Sequence, residues 1–260
     1  MSYVIETTSI DQPVDNTQSL TKRFVVLSYG ILSYALGVAA LLWIILAAGD
    51  LAPIGLSALH TESVGAALLV DLALVILFGL QHSIMAREGF KKRITKIIPQ
   101  AAERANYMFM TAVATAIALY FWQPLPGMVW QIENSVAQTI LWSLYAAGWL
   151  YLFVSTFITN HFELMGLRQV YLYFRNKPYT SLSFTRKYMY RYSRHPMMLG
   201  FLIGLWAIPT MSVTHFLMAV LFTGYIGVGM FFEERDLLRK FGDTYRKYKN
   251  EIATFVPGLY

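Results

Sequence analysis

The chain has no cysteine, which excludes disulfides, thiolate metal sites and a cysteine nucleophile. It is also short of charge: 14% of its 260 residues are Asp, Glu, Lys or Arg, against 56% apolar, where a soluble globular domain carries roughly 25% charged residues. That shortage rules out an ordinary soluble protein and implies an integral membrane protein. No Gly-x-Gly-x-x-Gly and no Walker loop occurs, which argues against a dinucleotide or nucleoside triphosphate held by a soluble fold. No His-x-x-x-His or Glu-x-x-His spacing occurs either, so with thiolates missing no metal site and no haem is expected. Internal repeats and low-complexity segments are absent.

What charge there is sits in a pattern. All 21 Lys and Arg fall in four patches: Lys22 and Arg23, then six between Arg87 and Arg104, seven between Arg168 and Arg194, and six between Arg235 and Lys249. The net charge of +6 would suggest nucleic acid in a soluble chain; here it marks membrane sidedness, and no nucleic-acid partner is expected. Apolar stretches at 24–48, 64–85, 105–122 and 136–159 each approach the ~20 residues that a helix needs to cross the hydrocarbon core. A fifth apolar region, 196–232, is broken at Ile208-Pro209-Thr210 and reads as a tight helical hairpin whose first arm, at ~20 Å, is either shallow or a full crossing. The expected fold is therefore an all-α bundle of five or six transmembrane helices ending in a hairpin. The loops at 49–63, 123–135 and 209–213 hold no Lys or Arg, so the positive-inside rule places both termini in the cytoplasm, in a membrane that is expected to be the bacterial inner membrane.

Residues 1–23 read as a polar tail rather than a signal peptide, and 24–260 as a single transmembrane domain with lipid around it. Glu233–Arg239 is expected to extend the last span beyond the membrane until Gly242. Asp243 is then expected to cap a short helix from Thr244 to about Ile252, before Pro257.

Polar groups collect at one level. On this topology His82, His161, His195, Glu233 and Glu234 lie at the cytoplasmic ends of spans, where they either form a hydrated rim or a site. Pro196 suits the first turn of a helix, so Arg194 and His195 mark an N-terminus with free N–H groups, fit for a carboxylate or phosphate. Adjacent Glu233 and Glu234 point about 100° apart on a helix: one can face the bundle while the other pairs with a loop arginine. Tyr188, Tyr190 and Tyr192 fit an interfacial aromatic belt equally well. Asp71 is three turns from His82, about 16 Å along the axis, too far for contact. These observations give a small cytoplasmic polar pocket without naming a reaction; ion or haem passage would use the same histidines.

Arg194-His195-Pro196 with Gly200, followed by Glu233-Glu234, Phe241-Gly242, Tyr245 and Tyr248, resembles the isoprenylcysteine carboxyl methyltransferase superfamily over about residues 186–257. The resemblance implies an S-adenosylmethionine pocket lined by Arg194, His195, Pro196, Leu199, Gly200, Glu233 and Glu234, with Tyr190, Tyr192 and Arg246 beside it. Met198 stands where that family usually has tyrosine. Gln81-His82-Ser83 with Met85-Ala86-Arg87 is similar also to the related NnrU-type membrane proteins. Asn160 to Val170, Arg175 to Thr180 and Phe201 to His215 resemble the methanethiol S-methyltransferase family, which extends the likeness to nearly everything beyond residue 24. That resemblance implies transfer of the sulfonium methyl to the sulfur of a small thiol, giving dimethyl sulfide. A thiol reacts as its thiolate, so His82 and His161 are candidates for base and positioning group, in either order, with Arg168 holding the anion. A lipid-linked carboxylate remains an alternative acceptor, and the sequence sets no oligomeric state.

Overall fold

The computed structural model describes residues 18–180 and 187–256. Most of the polar tail, and Pro257, lie outside the described residues. The chain folds as α1 (Leu20–Ala48), α2 (Val64–Met85), α3 (Glu88–Ile94), α4 (Glu103–Phe121), β1 (Met128–Gln131), α5 (Ser135–Ile158), α6 (His161–Leu164), α7 (Leu167–Phe174), α8 (Pro196–Trp206), β2 (Thr210–Ser212), α9 (Val213–Phe241) and α10 (Asp243–Glu251), with single 3-10 turns at Gln100–Ala102 and Tyr188–Arg191. It is an all-α membrane protein. Four helices, α1, α2, α5 and α9, are long and apolar enough to cross a bilayer, and their starts follow from short polar side chains that accept from free backbone N–H groups. Ser19, Ser63, Asn134 and Ser212 accept from Lys22, Ala66, Ala137 and His215 respectively, which satisfies donors that the first helical turn leaves orphaned.

Leu42, Leu69, Leu80, Leu150 and Val228 are all exposed; in a chain of this composition such faces meet lipid rather than water. The helix α4 is different. It falls outside that set of four because Glu103, Arg104 and Asn106 open it and Thr111 and Thr115 interrupt it. Yet Ala105, Tyr107, Ala112, Ala114, Thr115, Ala118 and Leu119 are buried, since α4 packs between α1 and α2. A helix enclosed by protein can carry polar side chains that lipid would penalise.

The broken region resolves into α8, ~17 Å long at 1.5 Å per residue, and an extended stretch that leads into α9. Ala207, Ile208 and Met211 are buried. Trp130 Nε1–H donates to the carbonyl of Ile208 at 3.0 Å, and Ile132 N–H to that of Pro209 at 3.0 Å. Protein groups thus satisfy this non-helical backbone. The loops at 123–135 and 209–213 thus meet as an antiparallel two-stranded ribbon, with Trp130 opposite Met211, a pairing the sequence did not announce. Rather than closing only on α9, α8 lies tightly against α5. A Cβ on Gly200 would stand 2.6 Å from the carbonyl oxygen of Gly148, and one on Gly148 would stand 2.9 Å from that of Gly200; glycine at both positions permits the approach.

The basic patches gather at one end. Arg23 donates to the carbonyl of Phe174 at 3.1 Å, Arg87 pairs with Asp236, and Arg194 donates to the carbonyl of Lys249 at 2.9 Å. Beyond α9, Gly242 takes φ 54° and ends the helix, as expected. Asp243 is not the cap: Gly242 holds that position without a side-chain bond, and Asp243 is the first residue of α10, ion-paired with Arg246. The positive φ at Gly242 turns the chain so sharply that Asp243 already lies inside the helix.

Candidate functional site

The site forms where α8 begins and the apolar part of α9 ends. Pro196 occupies the first turn of α8 and His195 the N-cap, but the imidazole makes no capping bond. It turns to the carboxylates instead, with Nε2 at 3.2 Å from Oε1 of Glu234 and Nδ1 at 3.7 Å from Oε2 of Glu233. The helix N-terminus is thereby left without a side-chain cap, a place where backbone N–H groups receive an anion.

The two adjacent glutamates divide as their angular separation requires. Glu234, 12% exposed, meets Arg194 Nε at 2.8 Å and Lys249 Nζ at 2.6 Å. Its charge is fully matched. Glu233, 48% exposed, has only the more distant His195 as an ion partner among the described residues. One carboxylate therefore holds the architecture, and the other is open to a ligand.

Arg194 is a knot. Besides Glu234 it donates to the carbonyls of Lys249 and Ile252, and to Thr254 Oγ1 at 2.8 Å. Backbone bonds from Arg194 to Ala253 (3.0 Å) and from His195 to Thr254 (3.2 Å) complete the strap. Tyr248 Oη donates to the carbonyl of Tyr190 at 2.7 Å. The segment 249–254, absent from the sequence-derived site, thus sets the position of the Arg-His-Pro turn. Its only signal in the sequence is the pair Tyr245 and Tyr248, both buried.

Tyr190 lies beside this wall, its hydroxyl pushed up to about 12 by burial and by the charge of Glu233. Tyr192 is exposed, and Arg246 is an exposed partner of Asp243 on α10, so the structure does not bring either into the cluster. Leu199 N–H donates to the carbonyl of His195 within the first turn of α8. Gly200 serves the crossing with α5.

The two histidines occupy separate surroundings. His161 is buried and stacks on Phe157 with 4.4 Å between ring centroids. Its Nδ1 is 2.8 Å from Thr156 Oγ1 and its Nε2 is 3.1 Å from Tyr34 Oη; burial lowers its pKa from the ordinary imidazole value. His82, at the inner end of α2, contacts Tyr107 and Thr111 of α4 and stacks against Phe78. Arg168 is engaged by Glu163 at 2.8 Å and by Thr180, and Tyr179 shares the same glutamate, its hydroxyl pushed up to about 12 by burial and by Glu163. Asp71 receives the Gln123 N–H at 2.7 Å, far from His82 as its spacing required. Among the described residues no group of three or more His, Asp or Glu is arranged for a metal.

Apolar helices long enough to cross a membrane, with a carboxylate, histidine and arginine cluster at one end, define a class: an integral membrane protein with a polar cluster at the basic rim of its bundle. The chain belongs to the NnrU family, whose model, described as NnrU protein, matches residues 68–253. It is 41% identical over 237 residues to a methanethiol S-methyltransferase of Mycobacterium tuberculosis, covering 91% of this chain and 97% of that one. It is 38% identical to another of the same name from Crocosphaera subtropica, covering 93% and 95%. Nurim of Rattus norvegicus is 30% identical, covering 70% and 72%. No solved structure matches the chain.

Proposed function

We propose that the protein is an S-adenosylmethionine-dependent methyltransferase that methylates the sulfur of methanethiol, giving dimethyl sulfide. The observation that carries this reading is extended similarity to proteins named for that activity, joined to the site's chemistry. An uncapped N-terminus of α8 suits the donor's carboxylate, and the open carboxylate of Glu233 suits its amino group or ribose hydroxyls. The tyrosine face of Tyr190 suits a sulfonium. When bound, the donor supplies an electrophilic methyl group.

The chain's own residues do the remaining work. Glu233, His195 and the first turn of α8 hold the donor, while Glu234, Arg194 and Lys249 keep that wall rigid. The residues 186–257 form the donor-binding part. Leu199 belongs to the first turn of α8 beside it, while Gly200 lets α8 pack on α5 and Tyr192 and Arg246 lie outside the cluster. His82 and His161 stand on the acceptor side, with Arg168 fixing the loop behind them. The basic rim faces the cytoplasm of a bacterial inner membrane, by the positive-inside rule. Headspace gas analysis of purified protein supplied with S-adenosylmethionine and methanethiol tests the reading; dimethyl sulfide above the enzyme-free control supports it, and none rejects it.

A further inference from the structure

Tyr107 Oη lies 2.6 Å from Nε2 of His82, and Nδ1 of the same ring is 3.2 Å from Thr111 Oγ1. Phe78 stacks on the imidazole at 5.4 Å between centroids, and Tyr225 meets it edge-on at 6.4 Å. A neutral imidazole has one donor and one acceptor nitrogen, so both polar atoms of this ring already have protein partners. A substrate reaches His82 only through one of them. Thr111 is one helical turn deeper into the bundle than Tyr107. Tyr107 is the partner nearer the basic end of α4, where the guanidinium carbon of Arg104 sits 4.6 Å from its ring centre.

We infer that Tyr107 is a catalytic residue of the thiol pocket, taking the S–H proton on its oxygen while its own hydroxyl proton passes to Nε2 of His82. This rests on the thiol methyltransferase reading. As the S–H bond breaks, its electron pair stays on the thiol sulfur and forms the new S–C bond to the methyl group. The methyl's old bond breaks with its pair remaining on the donor sulfur. His82 ends as imidazolium and returns its proton to water after the thioether leaves. The relay requires Nε2 to start unprotonated, and an Nδ1–H donating to Thr111 Oγ1 fixes that tautomer. Arg104, held by the carbonyl of Leu164 at 2.7 Å, fixes the position of the Tyr107 ring over which it lies.

The groups that face the pair are Arg104 from α4, over the Tyr107 ring, and Tyr225 from α9, edge-on to His82; the nearest carboxylates acting on Tyr107 are Glu103 and Glu233. His161 has a different shell, made of Tyr34, Phe153, Thr156, Phe157 and Phe162. His161 bonds Tyr34 and Thr156 and not Tyr107, so the proton of Tyr107 passes to His82.

Two measurements test the relay. Nitrogen-15 histidine NMR of the donor-free protein, assigned with His82→Gln, should give His82 as the Nδ1–H tautomer; an Nε2–H tautomer overturns the inference. Tyr107→Phe should slow methanethiol methylation ~10²- to 10⁴-fold at pH 7, the range of general-base assistance, with S-adenosylmethionine affinity unchanged by calorimetry. Its rate should then climb with pH in proportion to the free thiolate, approaching tenfold per unit while the pH lies well below the thiol pKa, while the wild-type rate rises less steeply. A variant as fast as wild type, or one whose loss does not recover with pH, overturns it. If wild type itself forms no thioether, the underlying reading fails; if wild type is active and the variant is unimpaired, only the relay fails.

Discussion

Arg194 Nε stands 2.8 Å from Oε1 of Glu234, forty residues along the chain, with the arginine side chain 8% and the glutamate side chain 12% exposed. The pair joins the start of α8 to the end of α9's apolar run, and the arginine's remaining donors bind the C-terminal strap. An ion pair this enclosed depends on every partner being present, because removal of one leaves the other buried and unmatched.

Arg194→Ala is therefore expected to cost about 3–5 kcal/mol. Arg194→Lys should recover little of it, since an ammonium cannot reproduce the guanidinium fork that meets a carboxylate and several carbonyls together. Thermal unfolding of both variants in the same detergent checks this; a lysine variant as stable as wild type would contradict it.

The two adjacent glutamates should respond differently. Glu233→Gln should weaken S-adenosylmethionine binding about 10- to 100-fold, the worth of a hydrogen bond to a charged group, with little change in melting temperature. Glu234→Gln should lower the melting temperature, because Arg194, Lys249 and His195 lose their shared anion. Calorimetry and thermal unfolding on the pair separate the roles, and identical behaviour would remove the distinction.

The α5–α8 crossing predicts a contrast between glycines. Gly200→Ala forces a methyl to within 2.6 Å of backbone atoms of Gly148 and Leu152 and should cost about 1–3 kcal/mol through overpacking. At Gly224 on α9 nothing lies within 4 Å, so alanine there should stabilise by roughly 0.5–1 kcal/mol. Equal effects at the two positions, measured by thermal unfolding, would mean that the helices do not approach this closely.

His161 predicts an acid limb in stability. Its folded pKa is lowered by burial, so its contribution is complete above the unfolded value of about 6.5 and is lost as pH falls from there through the folded value. His161→Gln keeps a polar partner for Thr156 and Tyr34 without titrating. The difference in melting temperature between pH 8 and pH 5 should be smaller in this variant than in wild type; an unchanged difference assigns the acid limb to other groups.

Much of the architecture was legible because membranes impose coarse rules. Runs of apolar residues and the confinement of Lys and Arg to four patches gave the helices α1, α2, α5 and α9 within a few residues of their bounds. The glutamate division followed from helix geometry, and the Gly242 stop was readable from composition. Tyr107 and Arg104 were missed although Arg104-x-x-Tyr107 lies at the inner end of a helix. A tyrosine there reads as an interfacial ring until α2 is seen to bring His82 against it.

By itself, the sequence determined that this is a helical membrane protein with its basic groups at one end, because hydrocarbon accepts only segments whose composition is apolar and whose backbone bonds are internal. Which polar groups meet was decided only by the tertiary structure. Spacing along the chain puts His82 and His161 alike at the basic ends of spans, yet one contacts Tyr107 of α4 and the other Tyr34 of α1. Arg194 reaches a strap sixty residues away, and two lysine-free loops join as a ribbon. Those outcomes depend on how helices pack side by side. Spacing along one helix fixes the face a residue presents, but only the neighbouring helix fixes what that face touches.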